Sequence, residues 1–414
     1  MRISRHIQSR LGEPAWVFGD QALSGASNVL VPILVAREAT PASFGLFAIA
    51  WAALLFLLTL MRSATSIHIS LAADDPDLVT KETRHASGAI VLLAPLSIFV
   101  VAGLAFISAQ SLSAPVLVVA LATPIVLLQD VQRYRAFARG HVRSAFTADA
   151  VWFSLVGVAV VLSLTIQIAP VVIVLLWALG AITACVILWE RTSPPIIRGI
   201  RQWLSSTWAP KATLSLAAVI SAGSVALAST LVARIAGLDT LGAYAAASQL
   251  MAPINTLLAT LGIWLIPRAV RRAPHVRFSM FARAGLVVSG LTACWSFVLL
   301  LLPTPVGTAL LGATWPSARL VLPFVCLQFT IGVFAIAGGN LILSLGANRA
   351  VATQSIVLGI GRVTAAVATA SVIGTAIAVS LGETAVLVIA GVMVWLIAWR
   401  LVHKRQQPNP IPST

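Results

Sequence analysis

Apolar runs of about 20 residues, the length that crosses roughly 30 Å of hydrocarbon, recur along this whole chain. Six fall near 15–36, 43–61, 87–108, 113–131, 146–167 and 170–189. Six more fall near 213–234, 241–266, 280–302, 318–344, 351–373 and 384–402. The pattern predicts an all-α polytopic membrane protein of about twelve transmembrane helices. The longest polar connections are 62–86, 190–212 and 303–317, and none is long enough for a separate domain.

The two sets of six are related. Leu34-Val35-Ala36-Arg37 is followed by Gly45, Phe47, Ala48 and Ala50, and Leu231-Val232-Ala233-Arg234 by Gly242, Tyr244, Ala245 and Ala247 at the same spacing. Gly140, Arg143 and Thr147 enter the fifth span as Gly346, Arg349 and Thr353 enter the eleventh. An internal repeat of this period predicts two six-helix lobes in parallel orientation, related by an axis along the membrane normal. The expected division is 1–190 for the first lobe, 191–212 for a basic linker, 213–402 for the second lobe and 403–414 for a tail. In the linker, Ile196, Ile200, Trp203 and Leu204 share one helical face, and Arg198, Arg201 and Gln202 the other. Such a segment either lies in the membrane interface and ties the halves together or is a plain basic connection.

Composition excludes a soluble core: 59% of residues are hydrophobic, 9% are charged, and the mean hydropathy is +0.98. The net charge of +15 is a matter of topology, not a nucleic-acid footprint. Arg2, Arg5 and Arg10 precede the first span; Arg62, Lys81 and Arg84 follow the second, and Arg133, Arg135, Arg139 and Arg143 the fourth. Arg191, Arg198, Arg201 and Lys211 follow the sixth, and Arg268, Arg271, Arg272, Arg277 and Arg283 the eighth. Arg349 follows the tenth, and Arg400, Lys404 and Arg405 the last, so the asymmetry puts both termini in the cytoplasm. Arg37, Arg234, Arg319 and Arg362 fall elsewhere. The first apolar run carries Asp20, Gln21 and Asn28 and reads as a retained helix, not a removable signal peptide. Cys185, Cys294 and Cys326 all fall in spans, which does not suggest a disulfide framework.

The six histidines are scattered without metal-ligand spacing, and no phosphate-cradling Gly-rich loop occurs. No catalytic residue, metal or cofactor is therefore expected, and transport would run on an ion, voltage or substrate gradient. Polar groups within the spans carry the chemistry, because burying them in hydrocarbon is expensive. Asp20, Ser24 and Asn28 form a stripe suited to a water-filled cavity, unless Asp20 only snorkels to the cytoplasmic face. The second half has Ser221 and Ser224 at the places of Ser24 and Ser27, but Ala217 and Val225 in place of Asp20 and Asn28.

Arg362 lies 13 residues beyond Arg349, about 20 Å along a helix, and so deep in the bilayer. Its planar fork suits phosphate or carboxylate oxygens, the alternative being an ion pair with Asp20 or Asp149. Asp149 is a cavity carboxylate, a proton site or an interfacial snorkel, and Asp130 is expected to pair with Arg133 one turn away. Gln249, Asn255, Gln328, Asn340 and Gln354 are candidates for a sugar path, with interhelical contacts as the alternative, and Pro253 is positioned to kink the eighth helix.

With these residues in view, the chain resembles the Wzx-like polysaccharide-biosynthesis flippases of the MOP superfamily, which also holds the MATE exporters and the lipid II flippases. The likeness is carried by Leu34 to Arg37 running on to Phe44-Gly45-Leu46-Phe47, and by Arg133 to Gly140 continuing through Asp149 and Trp152. Leu311 to Pro316 adds to it. The resemblance implies a flippase of the cytoplasmic membrane that turns an undecaprenyl-pyrophosphate-linked oligosaccharide to the outer leaflet by alternating access. It implies Arg362 at the anionic head, Arg37 and Arg234 as outer-side contacts, and Asp20 and Asp149 as sites for H+ or Na+ coupling. The implied partners are the lipid-linked oligosaccharide, membrane lipid and other polysaccharide-assembly membrane proteins. A MATE-like cation-coupled exporter is the nearest alternative. A membrane-embedded glycan polymerase or ligase ranks lower, because the external stretch 303–317 holds no His, Lys or Arg.

Overall fold

The computed structural model describes residues 2–189, 194–206 and 208–404; Arg191, Arg405 and most of the predicted tail lie outside them. The described residues build helices in the order α1 (Arg2–Glu38), α2 (Pro41–Met61), a π-helical turn (Arg62–Ser66), α3 (Ile67–Leu71), α4 (Pro76–Ala109), α5 (Ala114–Ala138), α6 (Val142–Thr165) and α7 (Pro170–Leu188). A short α8 (Ile200–Ser206) leads to α9 (Trp208–Ala236), α10 (Leu238–Leu250), α11 (Ala252–Val270), α12 (Pro274–Leu300), α13 (Thr304–Leu311), α14 (Trp315–Ser344), α15 (Asn348–Val372) and α16 (Ala376–Lys404). Among the described residues ten helical segments are long and apolar enough to cross a membrane, so this is a multi-pass membrane protein. The α1 helix carries Asp20, Gln21 and Asn28 in its apolar run, and α10 and α11 are divided by a turn at Met251.

Local chemistry sets the helix ends. Thr40 accepts a hydrogen bond from the Ser43 amide (3.3 Å), and Pro41 opens α2 with a preset φ. Asp75 caps α4 through the amides of Asp77 (3.1 Å) and Leu78 (3.0 Å). The predicted connection 62–86 is therefore mostly helix, broken only between Leu71 and Pro76. Its residues Ser63, Thr65, Ser66, Glu82 and Thr83 are buried. The predicted outer connection 303–317 also folds, into α13 and a 3-10 turn. At Pro253 the chain breaks, as its placement suggested: α10 ends at Leu250, whose carbonyl accepts the Trp295 indole N–H (3.0 Å).

Helix packing repeats between the halves. In the first half α1 packs on α6, α6 on α7, α7 on α5, and α5 on α4 and α2. In the second, α9 packs on α15, α15 on α16, α16 on α14, and α14 on α12 and α10. The two halves meet chiefly through α2, which lies along both α9 and α10. At the contact, a Cβ on Gly45 would stand 2.2 Å from the Leu238 carbonyl oxygen, and one on Gly242 2.0 Å from that of Pro41. The two glycines are equivalent positions of the repeat, and so are Pro41 and Leu238. The contact is self-complementary, and only glycine lets the backbones come this close. At the same end, Gly312 (φ +54°) abuts the Arg37 carbonyl, and the Thr314 hydroxyl donates to the Ala36 carbonyl (2.9 Å).

The linker is docked on the first half. The Trp203 indole donates to Glu82 (3.0 Å), its ring stacks on His85, and the Ile196 amide donates to the Arg84 carbonyl (3.0 Å). Trp203 is buried, Ile196, Ile200 and Leu204 are half-buried, and Arg198, Arg201 and Gln202 are exposed, which is the predicted amphipathic division.

Overpacking a close contact costs about 1–3 kcal/mol. Gly45→Ala and Gly242→Ala should each lower the thermal midpoint of the purified protein and do so by similar amounts. Gly290→Ala, with nothing within 4 Å of the new methyl, should not. Size-exclusion recovery after heating reads all three.

Candidate functional site

Between the halves lies a cavity of about 430 Å³. The α2 helix supplies an aromatic wall, Phe44, Phe47, Trp51 and Phe56. Three of these rings belong to a stacked series that runs on into the first half, with Phe47–Trp51 centroids 5.5 Å apart and Trp51–Trp177 5.1 Å. The wall is thus fixed by packing. Opposite it the second half presents polar groups: Tyr244 and Gln249 of α10, Asn255 of α11, Gln328 of α14, Arg362 of α15 and Glu383 of α16.

Arg362 donates through Nε to Glu383 Oε2 (3.1 Å), and Nη1 lies 3.5 Å from Ser224 Oγ. Glu383 also accepts from the Gln328 amide (3.2 Å), which reaches the Tyr244 hydroxyl (2.9 Å), while Ser380 donates to the Gln328 carbonyl (3.0 Å). Glu383 Oε2 thus takes both the Arg362 and the Gln328 donors, and such added hydrogen bonds support a buried ion pair. The Arg362 side chain remains 22% exposed, on the cavity, while Glu383 is at 9%. Only one edge of the guanidinium is committed to Glu383, which leaves donors available for an oxyanion.

A second cluster lies within the first half, at the end of the bundle that carries Arg62, Arg133 and Arg135. The Arg133 guanidinium bonds Asp20 through two nitrogens, stands 3.3 Å from Asp149 and 3.4 Å from Ser24 Oγ, and lies over the Phe137 ring. Gln129 donates to Asp149 (3.0 Å). Asp130 does not pair with Arg133, as its spacing suggested; its carboxylate takes Arg62 (2.7 Å) and the Ser66 hydroxyl (3.4 Å). The π-helical turn at Arg62–Ser66 is the local device, since one residue of helical slip brings both side chains onto α5. Three carboxylates thus face two guanidiniums, and Asp20 and Asp149 share one of them.

Of the residues singled out by sequence, Arg362, Gln249, Asn255 and Gln328 line the cavity. Gln249 spans the halves, donating to the Val29 carbonyl of α1 (3.3 Å). Asp20 and Asp149 are brought together but away from that cavity, and Asn28 is exposed on α1. Arg37 lies beside Glu38 (3.5 Å), and Arg234 is exposed one residue short of the equivalent turn; neither lines the cavity. The partner of Arg362 is neither Asp20 nor Asp149 but Glu383. Sequence reading missed that residue because the last apolar run was started at 384, whereas α16 begins at Ala376 and carries Glu383 two turns inside. Arg62 and Arg133, counted as loop cations, are helical and paired for the same reason.

Removing one member of a buried pair strands the other, at a cost of about 3–5 kcal/mol. Arg133→Met should therefore sharply reduce the yield of folded protein, by leaving Asp20 and Asp149 facing each other. Arg133→Met combined with Asp20→Asn should recover much of it, as read by monodisperse yield in detergent.

No family model matches this sequence, and no curated protein matches it. Solved structures do. A multidrug resistance MATE family transporter of the MOP superfamily, in an inward-facing conformation, superposes with a TM-score of 0.72 at 13% identity, over 93% of this chain and 96% of that one. The lipid II flippase MurJ, in an inward closed conformation, gives 0.68 at 11%, over 97% and 94%. A MOP superfamily transporter from Pyrococcus furiosus, described as having a binding pocket of reverse polarity, gives 0.54 at 12%, over 95% of each. This multi-pass membrane chain has, over nearly its whole length, the fold of the MOP superfamily transporters.

Proposed function

We propose that this protein is a flippase that carries an undecaprenyl-pyrophosphate-linked oligosaccharide across the cytoplasmic membrane for surface polysaccharide synthesis. Both termini would lie in the cytoplasm, by the placement of Lys and Arg. The observation that carries the reading is Arg362, a membrane-depth guanidinium with one edge on Glu383 and the rest facing a cavity between the halves. A phosphate oxygen meeting Arg362 competes with Glu383 for the same donors, so loading the head and loosening the α15–α16 ion pair are one event. Gln249 and Asn255 offer neutral hydrogen bonds to the sugar. The glycine contact of α2 with α10 supplies the seam about which the halves rock, as alternating access requires. The shared guanidinium of Asp20 and Asp149 gives the coupling ion its place: with one carboxylate in surplus, H+ or Na+ completes the charge balance.

The aromatic wall of the cavity supports a second reading, a cation-coupled exporter of small molecules, for which the rings and the Glu383 carboxylate are suitable contacts. Deleting the gene separates the two. The flippase reading expects loss of surface glycan with lipid-linked oligosaccharide accumulating in the inner leaflet. Normal glycan with lost drug resistance favours the exporter.

On the flippase reading, Arg362→Gln should cut export at least tenfold while membrane levels stay normal, because the neutral amide keeps shape but loses charge. Export at the wild-type rate in Arg362→Gln, read as surface glycan per unit of membrane protein, would remove Arg362 from the site.

A further inference from the structure

A second cavity, larger than the one that holds Arg362, lies on the other side of α15. It is a crevice of about 820 Å³ between α4, α9 and α15, bounded by Phe99, Phe106, Val219, Leu227 and Ile360. Its polar lining side chains are Ser224 and Thr364, and both hydroxyls are already bonded to carbonyls of their own helices, Ser221 (2.9 Å) and Ile360 (2.9 Å). The rest of its lining is apolar or glycine. Phe99 is 71% and Ile360 61% exposed, so the crevice opens sideways to the surroundings of the helices, which at this depth are hydrocarbon. Its depth comes partly from the missing side chain of Gly103, where a Cβ would meet nothing closer than the Phe99 ring at 3.9 Å.

The crevice and the charged cavity share a wall. On α15, Ile360, Val363 and Thr364 face the crevice while Arg362 and Ala366 face the cavity. Phe56 lines both, its ring lying against Gly223, where a Cβ would come within 3.2 Å of it. Ser224, on the crevice side, is 3.5 Å from the Arg362 guanidinium. A water-soluble anion would use only the polar compartment. A ligand that fills both must carry an anionic head and a long apolar chain, joined within a few ångströms of Phe56.

We infer that the α4–α9–α15 crevice receives the hydrocarbon chain of an anionic lipid whose head meets Arg362, with Phe56 as the threshold between the two compartments. The inference rests on the flippase reading for its head group and adds a chain site on the opposite face of α15. The chain stays in hydrocarbon-like surroundings while the head is held in a polar cavity, so neither part crosses the wrong medium.

The test uses the purified full-length protein in one detergent at fixed concentration, with geranylgeranyl pyrophosphate and inorganic pyrophosphate as probes, titrated by native mass spectrometry. Wild type should bind the lipid about tenfold more tightly than the inorganic ion, a difference of about 1.4 kcal/mol. Gly103→Leu and Ile360→Trp, which fill the crevice from lipid-facing positions, should each remove most of that advantage and leave inorganic pyrophosphate binding within twofold. Equal affinity of wild type for the two probes, or an undiminished advantage in both crevice variants, overturns the chain site. Arg362→Gln should weaken both probes by the same factor. If it changes neither, the head assignment falls while the chain-length comparison still judges the crevice.

Discussion

The constraint on which the rest depends is the backbone contact of α2 with α10 at Gly45 and Gly242. Each glycine faces the carbonyl four residues before the other, Leu238 in one direction and Pro41 in the other. A symmetric contact of this kind, made at a helix start, fixes the separation of the halves without fixing the angle between them. In hydrocarbon there is no hydrophobic force to press helices together, so close packing of small residues has to supply it. Beyond that contact α2 presents Trp51 and Phe56 to the cavity, and α10, α11, α14, α15 and α16 present its polar groups.

The repeat makes the frame, and departures from it make the chemistry. Both halves use the same packing order, yet the buried charges are arranged differently. The first half holds Arg62, Arg133, Asp20, Asp130 and Asp149 in one cluster near an end of the bundle, reached by a π-helical slip that α10 and α11 lack. Among its described residues the second half holds the pair Arg362 with Glu383 at the cavity wall. Ions in an apolar interior persist only with partners, so each cluster is as large as its charges demand. The first is enclosed and has a surplus carboxylate; the second is neutral and open. Those properties suit an ion-coupling element and a cargo-contacting element respectively, and α2 touches both, through Arg62 at one end and its aromatic wall along the rest.

Much of this was legible in the sequence. Hydropathy found every long helix, because a span of apolar residues admits few other structures, and the Leu-Val-Ala-Arg phrase found the two halves. The same phrase contained Gly45 and Gly242, although nothing in sequence said that they touch each other. Pairing was less legible. Charge counting near span ends treats each Arg as a loop cation, but Arg62 and Arg133 lie on helices that run past the apolar window, and their partners are 68 and 113 residues away. Glu383 was lost to the same window effect. A polar residue one or two turns beyond an apolar run is ambiguous until the helix end is known, and in α16 Ser380 and Glu383 sit inside, facing Gln328. Asp130 was assigned to its neighbour in sequence when the π turn had brought a better donor.

The neutrality of the cargo-side pair bears on how a carrier of this shape would work. A free guanidinium at mid-membrane depth would bind an anionic head tightly and release it slowly. With Glu383 as an internal competitor, the empty protein already satisfies Arg362, and a phosphate gains only the difference between two charge-assisted contacts. That lowers affinity but returns the site to its resting pairing once the head departs. The Gln328–Tyr244–Ser380 network holds Glu383 in reach while it is displaced, since Gln328 and Tyr244 lie on helices other than α15 and α16. A head bound at Arg362 would thus alter the contacts of α10, α14 and α16 together, and α10 is the helix that carries Gly242. Arg362 on α15 is linked to α10, and so to the Gly242 contact, through Glu383, Gln328 and Tyr244.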